Sequence, residues 1–245
     1  MKSIHFEVNL LDDVVLTGHS ARTGTGDALG FIPGAALRGL AAERYGEAEP
    51  NAWDVFHSGR VVFGDARQLC GSDSPALPMP LSFHAQKGAA PQRVEADGVV
   101  NTGLRTAPGP GFKPLRGQLS TTGEVLPLPN TELYARTAIN FEDGRADEGQ
   151  LYFTTALTAG QRFGFAVDIH LPDADGSVEQ FVRRAVGGQR SLGRSRGAHH
   201  GRVDIQAREQ PFAATPTLDR SVDGRVTLLL LSETCLIDED SGTPT

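Results

Sequence analysis

The sequence is poor in cysteine, in aromatic rings and in long apolar runs. Its two cysteines, Cys70 and Cys235, lie far apart and neither belongs to a Cys-x-x-Cys pair. That excludes a disulfide framework and a cysteine-rich zinc site. Aromatic residues make up 7% of the chain, with one Trp and three Tyr. Phe6, Phe153, Phe163 and Phe165 have the spacing of core residues, and no aromatic pair of the RNP kind is visible. Stacking of bases on an open sheet face is therefore not expected. The longest apolar run, Val226 to Leu231, is too short to cross a bilayer, and Met1 to Glu7 carries no apolar stretch of signal-peptide length. These absences point to a cytoplasmic protein with no membrane partner. Acids outnumber bases, 30 to 23, for a net charge of −7. The sum argues against a nucleic-acid partner, although the distribution of charge matters more than its total.

What is abundant is turn chemistry, with 29 Gly and 15 Pro. Short elements separated by loops follow. Ile4, Phe6, Val8 and Leu10 alternate, which predicts a strand with one buried face; Val14-Val15-Leu16 is a second β-like piece. Residues 35–45 repeat at helical spacing after Pro33-Gly34 and stop at Gly46. Val61 to Ala66 predicts a short strand. Residues 77–130 lack periodicity, and a stretch that long reads as an insertion of β-hairpins and loops. Three strands are expected over 136–141, 150–157 and 162–170. A helix follows over 178–186 with Ser177 as its N-cap and Gly187-Gly188 beyond it, then a strand over 201–206. The order predicts an α+β, ferredoxin-like (RRM-like) sandwich with one sheet face covered by helices. The domain is expected over residues 1–210. Residues 220–245 resemble the opening of the chain and are expected to be the first strand of a second such unit, or a truncated C-terminal segment.

The chemistry concentrates near the second helix. Between Glu179 and Asp204 no acid occurs, while Arg183, Arg184, Arg190, Arg194, Arg196 and Arg202 stand in that window beside His199 and His200. Its local charge is about +6. Glycines such as Gly193 and Gly201 let backbone amides approach a phosphate, and Arg matches phosphate bidentately. No Gly-Lys-Ser/Thr follows, so this is not a P-loop. A solvated loop that binds nothing is the bland alternative.

Four segments in order resemble the RAMP superfamily of type III CRISPR effector complexes, and the texture is most similar to the large RAMP protein of type III-D systems. Phe31-Ile32-Pro33-Gly34-Ala35-Ala36-Leu37-Arg38-Gly39 looks like the family's motif at the first helix. Phe63-Gly64-Asp65-Ala66 resembles the short strand after it. Arg136-Thr137-Ala138-Ile139 with Arg145-Ala146 and Gln150-Leu151-Tyr152 is similar to the central strand pair. Leu192-Gly193-Arg194-Ser195-Arg196-Gly197-Ala198-His199-His200-Gly201 is similar to the glycine-rich loop. The resemblance spans residues 1 to about 206 and implies a CRISPR RNA-binding structural subunit that contacts the guide backbone or its 5′ handle. Its partners would be CRISPR RNA, target RNA and other Cas/RAMP subunits.

The RNA-binding residues so implied are Pro33, Gly34, Arg38, Gly193, Arg194, Ser195, Arg196, His199, His200, Gly201 and Arg202, with Lys113 and Arg116 from a thumb-like hairpin in the insertion. Binding needs no cofactor. The alternative from the same resemblance is a backbone subunit that cuts target RNA through Asp27, a metal-dependent endoribonuclease using Mg²⁺. A turn or capping role for Asp27 competes with it. His5 and His19 offer no clear acid–base pair. A third reading is an assembly protein whose basic segment meets acidic neighbours rather than RNA.

Overall fold

The computed structural model describes residues 1–16, 25–26, 29–46, 49–70, 74–104, 108–139, 146–173, 175–194 and 200–213; for 25–26, 104, 136–139 and 146–152 it describes the backbone alone. The segment 220–245 therefore lies outside the described residues.

In chain order the elements are β1 (Lys2–Leu10), β2 (Thr25–Gly26), α1 (Gly34–Ala42), α2 (Ala52–Phe56), β3 (Val61–Phe63) and β4 (Arg67–Gln68). The next are β5 (Leu77–Pro78), β6 (Phe83–Gln86), β7 (Val99–Asn101), a 3-10 turn at Thr102–Leu104, β8 (Phe112–Pro114), β9 (Gln118–Leu119) and β10 (Val125–Leu126). The chain continues through β11 (Thr131–Ile139), β12 (Ala146–Leu157), β13 (Arg162–Ile169), α3 (Ser177–Val186), β14 (Gly188–Ser191) and β15 (Arg202–Ala207).

Residues 1–76 and 128–213 belong to one compact unit, and 77–127 to another. The centre of the first is an antiparallel sheet in the order β14-β15-β1-β13-β3, with β4 also on β13. Four of these strands, β1, β3, β13 and β15, stand in the spatial order fourth-first-third-second, with α1 in the connection after β1 and α3 in the connection after β13.

Period-2 patterning explains the sheet. Ile4, Phe6, Val8 and Leu10 of β1 are buried, as are Phe163, Phe165, Val167 and Ile169 of β13. The register sets Phe6 opposite Phe165, and their rings stack at 5.0 Å. Each such ring removed from water contributes roughly 1.5–3 kcal/mol.

The helices cover this face. Leu37, Leu40 and Ala41 of α1 and Val178, Phe181, Val182, Ala185 and Val186 of α3 join the same core. The i, i+3, i+4, i+7, i+8 spacing of the α3 residues makes one continuous apolar stripe. Tyr45, Phe56 and Phe181 meet edge to face at 5.6–6.0 Å and close the end of the core.

The outward face of the sheet is polar, and the chain after β15 returns across it. Phe212 lies against Gly164, where a side chain would collide with its ring, and edge-on to His5 at 5.3 Å. Burial lowers the pKa of His5, which favours its neutral form. Glu7 on this face receives both Arg162, at 2.7 Å, and Arg208, at 3.4 Å.

Three details differ from the sequence expectation. The N-cap of α3 is Gly176 at φ 71°, and Asp173 does the capping, its carboxylate accepting from Val178 N and Glu179 N at 3.1 and 3.0 Å. Ser177 is already helical, because Asp173 and Asp175 satisfy the first-turn amides from upstream. The helix α2 and the strand β14 were not expected at all. In the second unit, residues 77–127 form two small three-stranded antiparallel sheets, β10-β9-β5 and β7-β6-β8.

Candidate functional site

The first segment is the start of α1. Ile32 is fully buried and exchanges backbone hydrogen bonds with Ala66 at 2.8 and 2.9 Å. Pro33 has φ −61° and ψ 138°, and its carbonyl accepts from Ala36 N at 2.9 Å, so the ring launches the helix without needing an amide of its own. Gly34 is dictated by space: a Cβ there would penetrate the carbonyl oxygen of Phe63. Gly34 N donates to Asp65 Oδ1 at 2.9 Å. Asp65 in turn is 3.5 Å from Arg67, whose guanidinium lies 5.1 Å over the Phe31 ring. The positive end of the helix thus already holds a carboxylate of the same chain. An incoming phosphate would meet that charge, so Pro33 and Gly34 act through shape. Arg38, one turn on, is exposed and donates to Phe56 O at 3.2 Å. No carboxylate pairs with it among the described residues.

The second segment is the glycine-rich loop between β14 and β15. Its mouth is stitched shut by Leu192 N to Gly201 O at 2.8 Å, Arg194 N to Val15 O at 3.0 Å and Gly201 N to Asp13 O at 2.9 Å. Gly193 sits at φ 82° with its α-carbon against Val15 O, and Gly201 at φ 94° against Leu192 O. Both positions exclude a side chain on sterics and on backbone conformation together. Asp13 organises the mouth further: Oδ1 accepts from Ala159 N at 2.8 Å and Oδ2 accepts from the Tyr134 hydroxyl. That hydrogen bond pushes the Tyr134 phenol up to about 12, because the neutral phenol is the donor. The His200 ring meets Tyr134 edge-on at 5.0 Å, and its Nδ1 is buried without a hydrogen-bond partner. Arg194 leaves this mouth exposed. Ser195, Arg196 and His199 lie outside the described residues, as does Asp27.

The fold redistributes the arginines of residues 183–202. Arg183 pairs with Glu179 at 2.8 Å, a carboxylate that also holds Lys2. Arg184 pairs with Glu49. Arg202 grips Asp12 with two bonds at 2.7 and 2.9 Å. Arg190 is buried, donating to the carbonyls of Ala185 and Leu40, where it satisfies the C-terminal ends of α3 and α1 at once, and it lies 3.6 Å from the Glu43 carboxylate. Burial lowers its pKa. Arg44 does related work, donating to Arg184 O and Gly187 O at 3.0 and 3.1 Å. Of the expected cations in this window, Arg194 is the one described residue without a carboxylate partner.

In the second unit Lys113 and Arg116 are exposed, and no carboxylate pairs with them among the described residues. Arg93 nearby in sequence is held by Glu95 at 3.3 Å and Glu124 at 3.8 Å.

Sequence reasoning missed Asp12, Asp13 and Tyr134. The paired acids immediately before Val14-Val15 were the available signal. It also missed a cleft of about 240 Å³ lined by Gly34, Ala35, Arg38, Gly59, Val61, Val62 and Phe63. Among the described residues no His, Cys, Asp or Glu cluster gathers as a metal site, and no helix is long and apolar enough to cross a membrane.

No protein-family model and no curated protein matches the chain. Among solved structures it is similar to a chain of the type III-B Cmr-beta complex in its apo state, at 11% identity and TM-score 0.45, over 84% of this chain and 97% of that one. It is also similar to Cmr6 from Pyrococcus furiosus, at 12% identity and TM-score 0.39 over 83% and 97% of the two chains. A chain of a type IV-B CRISPR complex aligns at 12% identity and TM-score 0.39 over 92% and 97%.

Proposed function

We propose that this chain is a RAMP-type, RNA-binding structural subunit of a type III CRISPR effector complex, working in the cytoplasm among other subunits of that assembly. The observation that carries the reading is the glycine-rich loop. Its mouth is fixed by β14, β15 and residues 13–15, forced by two glycines, and it presents Arg194 without a carboxylate partner among the described residues. Support also comes from the fourth-first-third-second strand order with a helix in each connection, which is the ferredoxin-like path expected of this family. The kinship with type III-D rests on motif texture in the sequence alone.

In this reading phosphate contacts come from Arg194 and Arg38, from Lys113 and Arg116 in the second unit, and from Ser195, Arg196 and His199. Pro33, Gly34, Gly193 and Gly201 shape the surface. His200 and Arg202 hold the loop mouth and β15 in place. Binding through backbone phosphates is sequence-tolerant and salt-sensitive. It needs no metal. Asp27, which a Mg²⁺-dependent cut would use, lies outside the described residues, and the binding reading does not depend on it.

The test is the affinity of the full chain for a guide-length single-stranded RNA at several salt concentrations. Arg194→Ala combined with Arg196→Ala is expected to weaken binding about tenfold or more and flatten the salt dependence. Unchanged binding would remove the reading. In the assembled complex, Asp27→Ala is expected to leave target cleavage unaltered; abolished cleavage would establish the nuclease reading instead.

A further inference from the structure

The chain leaves β15 by crossing the outer face of the central sheet, and one residue anchors the crossing. Arg208 N donates to His5 O at 2.8 Å, which carries the pairing with β1 one step past the strand. Four residues on, Phe212 packs onto the sheet and is only 8% exposed. Its ring fills a socket that exists because residue 164 is glycine: a Cβ there would stand 2.5 Å from Phe212 Cζ and 3.1 Å from Leu69 Cδ2. The Arg208 guanidinium lies 4.7 Å over the ring, and His5 meets it edge-on. The backbone is held as well, with Phe212 N donating to His5 Nδ1 at 3.4 Å. A ring nitrogen accepts a hydrogen bond only while it carries no proton, so this contact requires neutral His5 with its proton on Nε2.

We propose that residues 208–213 are a proton-operated latch over the sheet: neutral His5 holds Phe212 in its socket, and protonation of His5 releases the segment and bares the outer face of β1 and β13. The imidazolium carries a hydrogen on both nitrogens, so Phe212 N loses its acceptor, and a second positive charge arises beside Arg208. The charged groups facing His5 are Asp168 from β13, which favours the imidazolium, and Arg208 from the chain after β15, which opposes it. Asp168 also accepts from the Ser3 hydroxyl. Glu7, two residues along β1, is engaged by Arg162 and Arg208, and Glu209 of the segment itself is exposed. Burial outweighs Asp168 and holds the latched His5 below its ordinary value of 6.5. The closed segment therefore binds fewer protons than the open one. The latch is fully held above pH 6.5 and is let go as the pH falls through the lowered value.

The experiment follows hydrogen exchange by mass spectrometry in the full chain, reading the amides of residues 208–213 between pH 8 and pH 5, with rates corrected for the intrinsic pH dependence of exchange. Wild type is expected to lose protection there as the pH falls below 6.5, by no more than about tenfold per pH unit, the limit for one proton. His5→Asn puts an amide oxygen where Nδ1 stood, and is expected to keep the protection and abolish its pH dependence. Phe212→Ala is expected to lose the protection at every pH, and Gly164→Ala, which expels the ring, to match it. Circular dichroism checks that both fold; Phe212→Ala, which adds no atoms, carries the arm if Gly164→Ala does not. Equal protection at pH 5 and pH 8 in wild type would overturn the latch. So would a pH dependence that survives His5→Asn, which would hand the effect to Asp168 or Glu7. Neither result bears on RNA binding through Arg194.

Discussion

Residues 183–202 and residues 86–129 invert their appearance between sequence and fold. In sequence the first is an unbroken basic window and the second a stretch of cations diluted by Glu95, Asp97 and Glu124. In the fold, carboxylates reach the first window from far away: Glu49 lies 135 residues from Arg184, and Asp12 lies 190 residues from Arg202. The second segment keeps Lys87, Lys113 and Arg116 exposed with no carboxylate partner among the described residues. A charge count along the chain sees only sequence neighbours, whereas the field at a surface depends on what folding brings beside each cation. Among the described residues the basic window is mostly scaffold: it caps helix ends and ties strands, and leaves Arg194 to face solvent.

The comparison breaks most sharply at the loop mouth. Gly193→Ala places a Cβ against Val15 O at a positive φ, whereas Gly188→Ala, also at positive φ, meets open space. Chemical denaturation is expected to show a loss of about 2–4 kcal/mol for Gly193→Ala and about 1 kcal/mol for Gly188→Ala. Only the first should impair RNA binding. Next in size, Lys113→Ala with Arg116→Ala is expected to lower RNA affinity roughly fivefold and to reduce the salt slope by about 1.4, two single-strand phosphate contacts. No change would confine the RNA grip to the first unit.

A pH effect follows from Tyr134. Its phenol titrates at about 12 rather than 10.0, so its bond to Asp13 contributes fully below pH 10 and is lost as pH rises through 12. An ultraviolet difference titration should show one tyrosine ionising near 12. Stability measured from pH 9 to 12 should fall further in wild type than in Tyr134→Phe. A tyrosine spectrum with no component near 12 would refute the Asp13 link. The smallest effect is expected for Arg183→Ala with Arg184→Ala: less than twofold in RNA affinity, since both side chains are held by Glu179 and Glu49.

Much of the fold was legible because it rests on periodicity. β1, β13 and the stripe of α3 follow directly from alternating and helical spacing. The helix α2 was not, since five residues carry too little repeat to detect. Nor was β14, because Gly188-Gln189-Arg190-Ser191 has no apolar residue; Arg190 is buried there by two helix-end carbonyls, a long-range cause. At the candidate site, Gly34, Gly193 and Gly201 stood out in sequence as places where a phosphate could approach the backbone; the cause the structure gives is different, the close carbonyls of Phe63, Val15 and Leu192. The occupation of the α1 start by Asp65, and of Arg202 by Asp12, was not legible, because both partners come from elsewhere in the chain.

The measurement that bears most directly on the central claim compares Arg194→Ala with Arg202→Ala in salt-dependent binding of a guide-length single-stranded RNA. The two arginines flank the same loop, one without a carboxylate partner among the described residues and one held by Asp12. Arg194→Ala is predicted to reduce the slope of log affinity against log salt by about 0.7, the value for one single-strand phosphate contact, while Arg202→Ala leaves it unchanged. Equal slopes for Arg194→Ala and wild type, or an equal loss at Arg202, would contradict the account.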